Sequence, residues 1–159
     1  MKILIVSDTH GTDVNFDLIL EREMPIDKLI HLGDSEGFED YIEAVAECPV
    51  HMVCGNCDYD SDYPYEDVVE FAGHRALITH GHLHQVYAGT EALATHARHL
   101  DADIAMFGHT HKPMAEYEGD VLMLNPGSVT FPRQKGRRPS YIVMEAEEDG
   151  RLTWEIRYL

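Results

Sequence analysis

The stretch Lys2-Ile-Leu-Ile-Val-Ser7, followed at once by Asp8-Thr9-His10, decides how the rest of the chain is read. A short, nearly unbroken apolar run is the signature of a strand covered on both faces, so it reads as a central strand of a parallel sheet. Apolar residues at Val14, Phe16, Leu18, Ile19 and Leu20 follow, with Asp13 as a cap and Pro25 beyond the far end, which predicts a helix over 14–23. A second run, Leu29-Ile-His-Leu32, ends at Gly33-Asp34, and Phe38, Tyr41, Ile42, Val45 and Ala46 then recur at helical spacing. The third run, Val50-His-Met-Val53, ends at Gly55-Asn56. Strand, loop and helix therefore alternate, and right-handed crossovers build a parallel sheet from them.

Beyond this point the pattern changes. Val68–Phe71 and Arg75–Thr79 flank Ala72-Gly73-His74, the spacing of a hairpin, so an antiparallel section is expected. A helix over roughly 88–100 leads to further strands near 103–107, 113–117, 121–124, 141–144 and 152–156. With no internal repeat, low-complexity tract or linker, the 159 residues are read as a single domain, 1–159.

Composition narrows the function. Twelve basic residues, four of them lysine, stand against 29 acidic ones, a formal charge of −17. Such a surface opposes a grip on duplex nucleic acid or anionic lipid, both of which need clustered cations. Abundant carboxylates with few lysines also suit a salt-rich, halophilic cytoplasm. No run approaches the ~18 apolar residues of a membrane span, and Asp8 follows Ile3–Ser7 too soon for a signal peptide, so a cytoplasmic protein is expected. Three cysteines, Cys48, Cys54 and Cys57, do not make a disulfide framework.

Chemistry-bearing residues gather where the strands end. Asp8 and His10, Asp34, Asn56, His80, and His109 with His111 follow five separate apolar runs, mostly beside glycine. Ligands of open α/β sheets sit outside the carboxyl ends of the strands, where these residues would converge. Each is unremarkable alone, since Asp-x-His and Gly-Asp are ordinary turn chemistry and His-x-His is often just two polar residues on one face. Seven together point to a metal site. Imidazole and carboxylate without thiolate suit Mn²⁺, placed first, or Ni²⁺, Zn²⁺, Fe or Co²⁺, and disfavour the all-oxygen cages of Ca²⁺ and Mg²⁺. Seven ligands exceed the needs of one open ion but suit two ions, ~3.5–4 Å apart, sharing a carboxylate and holding a bridging hydroxide for in-line attack at phosphorus.

The motifs Asp8-x-His10, Gly33-Asp34, Gly55-Asn56-Cys57-Asp58, Thr79-His80-Gly81-His82 and Gly108-His109-Thr110-His111 resemble those of the calcineurin-like metallophosphoesterase superfamily, in particular its small YfcE-type phosphodiesterases. Leu124-Asn-Pro-Gly-Ser128, running on to Arg133, resembles their late loop. The resemblance implies a four-layer αββα sandwich with two mixed sheets. It also implies Asp8, His10 and His111 on one ion, Asp34 bridging, and Asn56, His80 and His109 on the other. Many members carry histidine where Cys57 stands, and a thiol is a poorer general acid than imidazole. Asp34, Asn56 and His82 are read as catalytic, His82 through substrate phosphate or the leaving group, and Arg133 as a cation for phosphate. Cys54-x-x-Cys57 lacks the second ligand pair of a thiolate zinc site, and its middle residues already belong to the metal pattern. His96 and His99 are read as solvated helix face, and His31, His51 and His74 as structural.

The leading expectation is a hydrolase of small phosphodiesters. Phosphomonoester hydrolysis at the same site is one alternative; a non-catalytic scaffold, like the eukaryotic retromer subunit of similar fold, is another. The filled ligand set favours catalysis, and a homo-oligomer is left open.

Overall fold

The computed structural model describes residues 1–159. Its elements are β1 (Lys2–Val6), α1 (Val14–Glu23), β2 (Lys28–His31), α2 (Glu39–Val45), β3 (Val50–Met52), β4 (Glu66–Phe71), β5 (His74–Thr79), a one-turn 3-10 helix (His82–His84), α3 (Glu91–His99), β6 (Ile104–Met106), β7 (Met114–Glu118), β8 (Val121–Asn125), β9 (Ser140–Ala146) and β10 (Leu152–Tyr158). Two five-stranded mixed sheets result, ordered β10-β9-β1-β2-β3 and β4-β5-β6-β8-β7.

Side-chain alternation explains both the unbroken apolar run and the layering. Ile3 and Ile5 face a core shared with Val69, Ala76, Ile78, Met106 and Leu124 of the second sheet, whereas Leu4 and Val6 face Phe16, Ile19 and Ile42 of α1 and α2. β1 is thus buried on both faces and cannot show the polar alternation of a half-exposed strand. The second sheet repeats the arrangement, with Leu77, Ala105, Val121 and Met123 turned outward onto Leu93, Ala94 and Ala97 of α3. Helix, sheet, sheet, helix follow in order, the expected four-layer sandwich.

One local expectation needs correction. Asp13 occupies the position before α1 but makes no side-chain cap bond, because its backbone is already helical (φ −94°, ψ −30°) and does not aim the carboxylate at the first N–H groups. The antiparallel section expected across Val68–Thr79 is the β4–β5 hairpin; β5, β6 and β8 then run parallel, and β7 is antiparallel to β8. The last two strands complete the first sheet, where β9 pairs antiparallel with β1 and β10 covers β9. No helix is long and apolar enough to cross a membrane.

Glu23, at the end of α1, is 2% exposed and joins the chain's two ends. It accepts from Tyr141 Oη (2.8 Å) and Arg157 Nη1 (2.6 Å), with Lys2 Nζ at 3.1 Å. Burial would raise its pKa, but the bonds from Tyr141, Arg157 and Lys2 outweigh burial and hold it below its ordinary value. A depressed folded pKa means the stabilisation is complete above the unfolded value of ~4.3 and disappears as pH falls through the folded one. Glu23→Ala is expected to cost about 2 kcal/mol at pH 7 in urea unfolding, and the difference from wild type should shrink below about pH 4. An equal difference at pH 7 and pH 3 would sink this assignment.

Candidate metal centre

The loops after β1, β2, β5 and β6 converge at one edge of the sandwich. Asp8 follows β1, Asp34 follows β2, His80 follows β5, and His109 and His111 follow β6. Asp8, His10, Asp34, His109 and His111 all have left-handed backbone, with φ of 57°, 47°, 55°, 64° and 57°. Non-glycine residues in that region cost on the order of 1 kcal/mol or more each, and such strain collects at functional sites.

Asp8, His10, Asp34 and His111 each offer a ligand atom within 4.8 Å of the others. Asp8 Oδ1 lies 3.0 Å from His111 Nε2, 3.8 Å from His10 Nε2 and 4.0 Å from His80 Nε2, and His80 Nε2 is 3.3 Å from Asp34 Oδ2. The outer nitrogens of the three rings are tied elsewhere. Nδ1 of His80 meets the Leu32 carbonyl, Nδ1 of His111 the Phe131 carbonyl, and Nδ1 of His10 the Glu36 carboxylate, each at 2.7 Å. Such bonds fix the tautomer and turn Nε2 toward the centre, as in metal-binding histidines.

Both Asp8 carboxylate oxygens, His10 Nε2 and His80 Nε2 are buried without a hydrogen-bond partner. Buried polar atoms are costly unless paired, so this convergence fits a bound cation. The titration behaviour agrees. Burial alone would lower the His80 pKa, but the Asp34 carboxylate 3.3 Å from Nε2 and the charge of Asp8 outweigh it and raise it. His111 is likewise raised, against burial, by Asp8. Asp34, which burial would raise, is held well below the usual carboxylate range by His80 and by the Cys57 N–H (2.8 Å). The raised His80 and His111 show that the centre favours positive charge. Divalent ions would supply that charge and compete with protons for the same nitrogens.

His109 stands beside this cluster, its ring 5.1 Å from His80 and 4.9 Å from Tyr87, and burial with the nearby His80 charge lowers its pKa to about 4. His82, with its ring 5.5 Å from His80, is also lowered, first by burial and then by His80. Asn56 is the predicted ligand least drawn in, being exposed with its amide 3.3 Å from Cys57 Sγ. Burial and then Asp34 push the Cys57 thiol up to about 12. The three cysteines are free. Arg133 stands at the rim, its guanidinium on the Tyr87 hydroxyl, which in turn donates to the His109 carbonyl (3.1 Å).

Several supporting residues escaped the sequence reading. Asp58 accepts from the backbone N–H groups of Asp34, Gly55 and Glu36, each at 2.7 Å, and so locks the loops after β2 and β3 together. Its place in Gly55-Asn56-Cys57-Asp58 was the available signal. His31, read only as structural, lies under the site: its Nδ1 accepts from Gly33 N (3.2 Å), so Nε2 donates to Thr9 Oγ1 (3.1 Å). Full burial lowers its pKa to about 4 and keeps it neutral. The late loop holds the site from below, Ser128 Oγ donating to the Asp8 carbonyl (2.9 Å) and Asn125 Nδ2 to the Gly108 carbonyl (2.8 Å). Tyr65, Tyr87 and Phe131, each more than half exposed, pack edge-on or tilted against His82, His109 and His10. His96 is not merely solvated face, for it meets Glu66 across α3 and β4.

Comparison with known proteins accords with this geometry. The calcineurin-like phosphoesterase superfamily domain matches residues 1–149. The probable metallophosphoesterase YsnB of Bacillus subtilis is 37% identical over 150 residues, 94% of this chain and 86% of that protein. The phosphodiesterase YfcE of Escherichia coli is 31% identical over 166 aligned positions, covering 88% and 84%. Wild-type Vps29 of Entamoeba histolytica, solved in complex with Zn²⁺, superposes with a TM-score of 0.78 at 26% identity, covering 99% of each chain. The two mixed sheets, the strand-end histidines and carboxylates, and a family match over nearly the whole length lead to one assignment: this chain belongs to the calcineurin-like phosphoesterase superfamily, a family of metal-dependent enzymes.

Proposed function

We propose that the chain hydrolyses phosphodiester bonds of small substrates at a two-ion centre, with Asp8, His10 and His111 holding one ion, Asn56, His80 and His109 the other, and Asp34 both. The supporting observation is the convergence of unpartnered, buried Asp8, His10 and His80 atoms beside Asp34. Two divalent ions would supply Lewis acidity toward phosphoryl oxygens and a nucleophile at neutral pH. Mn²⁺ is the proposed ion. The protein's own part is positioning. Arg133, at the rim with Tyr87, pairs with a phosphate oxygen, and neutral His82 contributes a hydrogen bond toward phosphate or leaving group. One domain carries the whole site.

The test is a screen of chelator-stripped, Mn²⁺-reconstituted protein against an aryl phosphodiester, an aryl phosphomonoester and cyclic nucleotides. Diester turnover above monoester turnover, lost on stripping and restored by Mn²⁺, is expected. The reverse preference overturns the diester assignment, and inactivity on all three favours a scaffold like the structural neighbour. Cys57 tunes the site and does not attack, since a thiol pushed up to about 12 is protonated at neutral pH. Cys57→Ala is expected to keep turnover of the activated diester within about tenfold, ~1.4 kcal/mol of barrier. A trapped phosphocysteine would contradict this.

The charge of −17 supports a salt-adapted cytoplasmic protein. Exposed carboxylates repel over ~10 Å at 0.1 M salt but only ~3 Å at 1 M, so added salt relieves the compact state. Unfolding midpoints should climb between 0.1 and 2 M KCl with turnover retained. A flat or falling midpoint removes the halophilic reading.

A further inference from the structure

We propose that Glu66, His84 and His96 form a second, outer site for a first-row transition-metal dication, separate from the two-ion centre. The three residues come from the start of β4, the 3-10 turn after β5, and α3, and are 12 to 30 positions apart in sequence. Folding therefore assembles the cluster. Both histidines turn Nε2 onto one carboxylate: His84 Nε2 lies 3.3 Å from Glu66 Oε2, and His96 Nε2 lies 3.0 and 3.1 Å from the two Glu66 oxygens. The rings sit 4.9 Å apart, tilted by 31°, and the three ligand atoms lie within 4.8 Å of one another.

Two imidazoles and a carboxylate are the donor set of open zinc sites and of other divalent transition metals, with water completing the coordination. Two imidazolium rings this close would repel, whereas one dication lets both stay neutral and satisfies all three groups. Side-chain exposures of 16% for His84, 33% for His96 and 41% for Glu66 leave the site reachable from solvent.

The position gives the site a consequence. Glu66 pairs across the ladder with Thr79, the residue before His80, and His84 ends the turn that begins at His82. An ion here ties β4 and α3 to the turn that carries His82, bracing the wall of the catalytic mouth from outside. It is a positioning site, since none of its three residues reaches the two-ion centre.

Zn²⁺ alone is the probe. After equilibrium dialysis of wild-type protein and the His84→Ala/His96→Ala variant, wild type should retain one zinc more per chain, whatever the occupancy of the main centre. Saturating Zn²⁺ should raise the wild-type unfolding midpoint about 5 °C more than that of the variant. Zinc titrated into wild type should also shift the imidazole nitrogen resonances of His84 and His96, an observation needing no variant. Equal zinc counts in the two proteins, or unmoved His84 and His96 resonances at saturation, would overturn the site and leave a plain hydrogen-bonded surface cluster.

Discussion

Asp34→Asn is expected to lower turnover of a phosphodiester by about 10³-fold or more, ~4 kcal/mol of lost transition-state stabilisation. Asparagine is the informative replacement. Asp34 Oδ1 accepts from the Cys57 N–H at 2.8 Å, and an amide oxygen can keep that bond, so the loop after β3 stays in place. What is lost is the negative charge and the second oxygen, Oδ2, which faces His80 Nε2 at 3.3 Å. If Asp34 serves both ions, the substitution weakens both at once, and no neighbouring group replaces it, because Asp8 is the only other buried carboxylate among the candidate ligands. Steady-state kinetics with excess Mn²⁺, beside an unfolding curve to show the fold is kept, make the measurement. Near-normal turnover in a folded variant would contradict a shared-carboxylate centre.

Gly55→Ala should disable the enzyme almost as strongly while altering no chemical group. A Cβ at Gly55 would stand 2.0 Å from Asp34 Oδ1 and 2.5 Å from Asp34 N, and one at Gly33, across the same contact, would stand 2.6 Å from Gly55 N. The loops after β2 and β3 are packed back to back, so the methyl group must push the Asp34 carboxylate by an ångström or more. Displacements of that size cost on the order of 10²-fold in rate. Turnover is therefore expected to fall at least 100-fold, with weaker Mn²⁺ retention and a stability loss of about 1–3 kcal/mol from overpacking. Gly73→Ala is the control: at φ 84° with open space around it, it bears a backbone penalty only, and turnover should persist. Equal losses in the two variants would mean that Gly55 reports global destabilisation.

The reach of the sequence follows from how local each feature is. β1 was legible because burial on two faces leaves an unbroken apolar run, and the helix of α1 because its buried face recurs within ten residues. The ligand clusters were legible because each lies directly behind a strand. The αββα layering came through the family resemblance, and the division of Ile3 and Ile5 from Leu4 and Val6 between two cores gives its physical reason. Less accessible were partnerships across the fold. Ser128 supports the Asp8 loop from 120 positions away, and nothing in Asn125–Ser128 itself names that target. His96 looked like solvated surface because helical periodicity says which face is polar, not what docks against it; Glu66 lies 30 residues upstream on another element. The Asp13 cap failed for a finer reason, since residue type permits a cap but backbone angle decides it.

The decisive measurement is anomalous scattering from crystals of the Mn²⁺-reconstituted protein, recorded at the manganese edge. Two peaks at the strand-end centre are expected, one on either side of the Asp34 carboxylate, the first among Asp8, His10 and His111 and the second beside His80. Any ion at Glu66, His84 and His96 lies apart and is counted separately. A single peak at the centre, or two that leave Asp34 uncoordinated, would contradict the two-ion site.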